Sequence, residues 1–184
     1  MFAMNPNTRK RSERLFSNGQ DRAKVYREQV RIEHISIVSA KSYEEVKAKL
    51  EQLPRFDDNI RVLLQSGETE RARLELKLMQ GNVGLTVFSQ ATHGDWLQII
   101  SGSRNAIQYV IGNILISTQM TKEDLRAGLY APLRIMMFEN EAGTATLEYD
   151  LPSTLFGQFG NQRITAVAKA LDQKIFDVLM RAAA

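Results

Sequence analysis

The chain has 184 residues, 43% of them apolar and 24% charged, with 11 Gly and 4 Pro; this composition excludes a disordered or fibrous chain and suits one ordinary domain. It holds no cysteine, which excludes a disulfide framework, a thiolate nucleophile and cysteine-ligated zinc or iron–sulfur centres. The net charge of +3 is uneven: residues 1–31 carry eight bases against three acids, a net +5, which leaves −2 for the remainder.

Residues 1–27 read as a basic, flexible N-terminal arm, because Asn5, Pro6, Asn7, Ser12, Ser17, Asn18 and Gly19 interrupt any amphipathic face before Ala23. Nucleic acid is not an expected partner, since a reader of phosphates concentrates positive charge on its folded surface, and here that surface is slightly acidic. No apolar run approaches the ~18 residues of a membrane span, and the N-terminus lacks the apolar segment of a signal peptide. A cytoplasmic protein with no membrane association is expected.

From Val30 to Ser39 the apolar residues alternate with one slip, which predicts a strand with a bulge. Ser42 and Glu45 have the spacing of a capping box, and Val46, Leu50 and Leu53 continue a helix that Pro54 ends. Asp58 is placed to cap a short helix with Ile60, Leu63 and Leu64 inward, up to Gly67. Residues 71–78 alternate like a strand, but Glu, Arg, Leu and Lys favour helix and Gly81 supplies a stop, so a helix is predicted. Val83 to Ser89 reads as a strand. A short amphipathic piece with Trp96, Ile99 and Ile100 follows Thr92–Asp95. Ala106 to Ile111 is a strand with Ile107, Tyr109 and Ile111 on one face, ended by Gly112-Asn113. A further helix is expected from an N-cap at Thr121, with Met120 and Leu125 as a hydrophobic staple, up to Gly128. Residues 132–139 and 144–151 form a hairpin, with Ala145, Leu147, Tyr149 and Leu151 inward and Pro152 closing the second strand. Ile164, Val167, Ala168, Leu171, Ile175 and Val178 mark a long C-terminal helix capped by Asn161.

This order of elements, with Tyr109-Val-Ile-Gly-Asn113, Ala131-Pro-Leu-Arg134 and Glu148-Tyr-Asp-Leu-Pro152, resembles the domain-of-unknown-function family 302 over roughly residues 28–182. Ile114 stands where that family commonly has Pro. The resemblance implies a single α+β domain: an antiparallel or mixed sheet of about five strands, covered by helices in a TATA-binding-protein-like order and ending in a long helix. It also implies frequent dimers and no established reaction, and a fold shared with a DNA reader transmits no site.

The chain has no GxxxxGK[ST] phosphate cradle, no GxGxxG after a strand, no GxSxG elbow and no HExxH pair, and no cofactor is expected. His34 and His93 with Asp95 have the chemistry of metal ligands, but no local spacing brings them together, so no metal site is assigned. The loop His93-Gly94-Asp95 pairs a titratable ring with a carboxylate and precedes the only Trp, yet a turn with Asp95 as a helix cap explains the same residues. Gly112-Asn113 offers backbone amides at a strand end, or a turn that needs those residue types. Gly157-Gln-Phe-Gly160 reads as a helix junction rather than a nucleic-acid clamp. Tyr149 and Arg134 lie on neighbouring strands of the hairpin.

His93, Asp95, Asn113, Arg134 and Tyr149 are therefore the candidate ligand-binding residues, and His93, Asn113 and Tyr149 are expected to converge. The leading expectation is a homodimeric, non-catalytic binding module for a small ligand or a protein partner. An enzyme working through His93 and nearby polar groups is the alternative, and a nucleic-acid binder through the basic N-terminal arm is the third and least favoured reading.

Overall fold

Antiparallel pairing organises both parts of the chain. In the computed structural model, which describes residues 12–15 and 23–184, strand β1 (Ser12–Leu15) pairs with β2 (Lys24–Arg27). Residues 1–11 and 16–22 of the expected arm lie outside the described residues. The chain divides into two units, Met1–Arg31 and Ile32–Ala184, and the second carries the rest of the fold.

The second unit opens on β3 (His34–Ser42), whose register shifts between Val38 and Ser42 at the expected bulge. The strand begins at His34 rather than Val30 because its partner ends at Asp150, opposite His34, where Pro152 starts a helix. Helix α1 (Tyr43–Leu50) starts with the predicted capping box, the Glu45 carboxylate accepting the Ser42 amide at 2.9 Å, and buries Val46 and Leu50. In α2 (Asn59–Gln65) the inward assignment of Leu64 is corrected: only Ile60 is buried, because this helix packs on α3 (Thr69–Met79) rather than on the sheet. Asp58 gives no side-chain cap either; its carboxylate accepts from Arg61 Nε at 2.8 Å.

After β4 (Thr86–Ala91) comes the single-turn α4 (His93–Trp96) and a 3-10 turn over Leu97–Ile99, which leave Trp96, Ile99 and Ile100 exposed. Strand β5 (Ala106–Gly112) buries Ile107, Tyr109 and Ile111 as its alternation requires. The helix expected to start at Thr121 instead ends there. Helix α5 (Ile114–Thr121) begins at Asn113, which has extended backbone and whose Oδ1 accepts the Ile116 amide at 3.0 Å. Ile114 thus occupies the first helical position, where Pro is also well tolerated. Glu123 and Asp124, just after Thr121, precede a 3-10 stretch, Leu125–Tyr130, which Asp124 caps; Leu125 is exposed and forms no staple.

The predicted hairpin is β6 (Leu133–Glu139) and β7 (Thr144–Asp150). Pro152 also opens a helix the sequence reading omitted, α6 (Pro152–Gly157), before α7 (Gln162–Ala183), capped by Asn161. The five strands run in the order β3-β7-β6-β5-β4, each antiparallel to its neighbours. One sheet face packs on α1, α5, α6 and α7 around Leu50, Met120, Phe156, Ile164 and Ile175. This is the expected α+β fold with a five-stranded antiparallel sheet and a long terminal helix. Ser39 fixes the bulge to that helix, its hydroxyl donating to the Ala183 carbonyl at 2.6 Å and accepting the Lys41 amide.

Candidate functional site

Antiparallel pairing separates the residues that the sequence grouped. Ala91, just before His93, pairs with Gln108, whereas Gly112 pairs with Thr86 at the other end of β4. The His93 loop and Asn113 therefore lie at opposite ends of β5, about 20 Å apart at a strand rise of ~3.4 Å per residue. His34 and His93 flank opposite edges of the sheet, separated by four strand spacings of ~4.8 Å and by a further offset along the strands, so more than roughly 19 Å apart. Arg134 and Tyr149 occupy opposite faces: Ile135, not Arg134, pairs with Tyr149 on the core side, and Arg134 is exposed. The expected convergence of His93, Asn113 and Tyr149 is corrected by these registers.

The two histidines each have a local partner. The His93 ring meets Trp96 edge-on with centroids 4.6 Å apart, and Asp95 sits inside the turn of α4, where Thr92 holds the N-cap position without a side-chain capping bond. His34 Nδ1 lies 2.9 Å from Asp150 Oδ1, and its Nε2 lies 3.6 Å from Glu148. The hydrogen bond to Asp150 raises the His34 pKa above its ordinary value, with the charge of Glu148 adding to it. Among the described residues no group of three or more His, Asp and Glu side chains could hold a metal ion.

Tyr149 is buried and its hydroxyl has no hydrogen-bond partner among the described residues; the same holds for Tyr109. Burial pushes the Tyr149 hydroxyl further up, with Asp172 adding, and burial pushes Tyr43 up to about 12. These phenols keep their protons near neutral pH.

Asp95 borders an open polar cleft with Arg104, Asn105 and Glu139, whereas Asn113 borders a smaller, largely apolar and partly enclosed cavity. A cavity of about 190 Å³ lies where the ends of β5 and β6 meet α5 and α7, walled by Phe88, Ile116, Met120, Pro132, Leu133 and Leu171. Asn113 and Ser117 are the polar side chains at its wall, and both are already engaged. The Asn113 amide donates to Gln80 Oε1 and to the Gly84 carbonyl at 2.8 Å while its oxygen caps α5. Ser117 Oγ donates to the Ile114 carbonyl at 3.1 Å. No titratable side chain among the described residues lines the cavity. Gly112 closes one end: a β-carbon there would stand 2.9 Å from Pro132 Cβ, and Pro132 follows a cis peptide bond.

Sequence reasoning found Asn113 but not Phe88, Ser117, Met120 or Pro132. The available signal was Ile114-Leu115-Ile116 directly after an Asn able to cap, which marks an apolar helix over the end of the sheet.

The family model for the domain of unknown function DUF302 matches residues 62–182. The chain belongs to the DUF302 family. Among solved structures, this DUF302 protein is similar to the crystal structure of an uncharacterized conserved DUF302 protein from Bacillus stearothermophilus, with 16% identity and a TM-score of 0.58. That similarity covers 81% of this chain and 97% of the other, and it concerns the fold alone. No curated protein matches the chain. No helix among the described residues is long and apolar enough to cross a membrane.

Proposed function

We propose that this DUF302 protein is a non-catalytic binding module whose small, largely apolar ligand seats in the cavity beneath α5. The observation that carries this reading is the cavity wall itself: apolar side chains, two polar groups whose hydrogen bonds are satisfied internally, and no acid or base. General acid–base catalysis needs a titratable group within hydrogen-bond reach of the reacting atom, and the described residues of this wall offer none. An apolar cavity of about 150 Å³ holds a benzene molecule, so a volume of about 190 Å³ suits a ligand of that class.

The test is thermal unfolding with 1-octanol. A ligand that binds only the folded state adds about 2.7 kcal/mol of stability at a hundredfold excess over its Kd. Octanol raises the Tm of the wild-type protein, and Ser117→Phe, which puts a ring into the cavity, abolishes the rise. A rise of equal size in Ser117→Phe would place binding elsewhere.

We further infer that the protein works as a homodimer. On the sheet face away from the helices, Val38 is exposed and Val110, Met136 and Phe138 are only half-buried, while β3 is a nine-residue edge strand. Such a face and edge are covered most simply by a second copy. Sedimentation at micromolar concentration gives twice the chain mass on this reading, and a single monomeric species would refute it.

A further inference from the structure

Asn113 is a wall between two spaces. On the outer side of the same residue a wider cleft of about 510 Å³ opens between the end of α3, the Gly81–Gly84 turn and α7. Asn113 and Ile116 border both spaces. Among the described residues the outer cleft is lined by Lys77 and Lys174 and by no carboxylate.

Both lysines lack an ion pair among the described residues. The acids nearest Lys174 along α7 are committed elsewhere: Asp172 accepts the Ser153 amide at 2.7 Å, and Asp177 accepts from Gln173 at 2.8 Å. The position of the Lys174 ammonium follows from Gly84, where a β-carbon would stand 2.9 Å from Nζ. The ammonium thus lies over the glycine turn whose Gly84 carbonyl is held by Asn113. A side chain at position 84 would push it away, and the φ of +71° there is one that glycine adopts without strain.

We propose that the ligand is a small amphiphilic acid, its apolar body in the cavity walled by Phe88, Met120 and Leu171 and its carboxylate between Lys77 and Lys174. This rests on the binding reading above and extends it from an apolar ligand to an anionic one. An apolar chamber that shares its Asn113 and Ile116 wall with a cleft carrying, among the described residues, two unpaired ammonium groups and no acid is complementary to a molecule with one charged end. The first turn of α5, which begins at Asn113, adds its positive dipole end at the same mouth.

The experiment is isothermal titration of the full chain with octanoate and with 1-octanol, at low and high salt. The proposal expects octanoate to bind about tenfold more tightly than octanol at low salt, with most of that preference lost at high salt. In the Lys77→Met and Lys174→Met double variant, which keeps the aliphatic stems, octanoate falls to parity with octanol while octanol affinity is unchanged. Unchanged octanol binding shows that the variant is folded and its cavity intact, and the wild-type preference and its salt dependence stand independently of any variant. Equal affinity of the two probes for the wild-type protein would overturn the acidic head and leave the apolar cavity reading standing. Preference for octanoate that survives in the double variant would also overturn it. Binding of neither probe would overturn both readings.

Discussion

The carbonyl oxygen of Arg104 occupies the space that a β-carbon on Gly94 would need. The Arg104 amide in turn donates to the Gly94 carbonyl at 3.2 Å, so the two backbones cross in contact where α4 meets the start of β5. The His-Gly-Asp sequence, which looks like a chemically equipped loop, has its glycine for close approach rather than for catalytic freedom.

Gly94→Ala is therefore expected to destabilise the protein by about 3 kcal/mol through overpacking against backbone that cannot rotate aside. Gly157→Ala is the matched control: a β-carbon there meets nothing within 4 Å, and the effect is expected within about 1 kcal/mol of zero. Urea denaturation of the two variants measures both. Equal effects would show that the Gly94 crossing relaxes freely.

Asn113→Ala removes the α5 cap and the bonds to Gln80 and Gly84 together. A cap alone is worth about 1 kcal/mol and a buried unpaired partner adds a similar amount, so a loss of about 2 kcal/mol is expected in chemical denaturation. A loss below ~0.5 kcal/mol would mean that the three bonds do not act on the folded state.

Ser39→Ala leaves the Lys41 amide and the Ala183 carbonyl without their shared partner. A cost of about 1 to 2 kcal/mol is expected, together with faster hydrogen exchange of the last turn of α7. Exchange that stays as slow as in the wild type would separate the bulge from the terminal helix.

His34 gives a pH dependence with a definite sign. Its folded pKa is raised by the Asp150 carboxylate above the ordinary 6.5, so the charged pair stabilises the fold fully below about pH 6.5. That contribution is lost as the pH rises through the folded value. The ring is more than half exposed, so the effect is small and is best read by NMR titration. Asp150→Asn is expected to lower the His34 pKa; an unchanged titration would deny the pairing.

The parts of the fold that the sequence made legible are those where local chemistry and tertiary packing agree. The Ser42–Glu45 capping box, the alternation through Ile107, Tyr109 and Ile111, and the period of α7 each have one dominant solution. Helix α5 was displaced because Thr121 and the acids after it look like a helix start, while Asn113 after a strand looks like a turn; both are Asn or Thr chemistry at element ends, and only packing chooses. The candidate site failed for a topological reason. Loops that follow consecutive strands lie at the same end of a parallel sheet and at opposite ends of an antiparallel one, and the strand pairing decides which side chains meet. The cavity itself was hidden because Phe88, Met120, Pro132 and Leu171 come from four elements with no pattern between them.

The most direct measurement of the central claim uses methyl NMR of the protein labelled at its seven methionines, titrated with 1-octanol. Met120 lines the cavity, while Met137 is equally buried in the sheet and borders none of it. The account predicts a saturable shift of the Met120 methyl with Met137 unmoved, and loss of that shift in Ser117→Phe. A Met120 resonance that stays fixed up to the solubility limit of the probe, or that moves only in step with Met137, would contradict it.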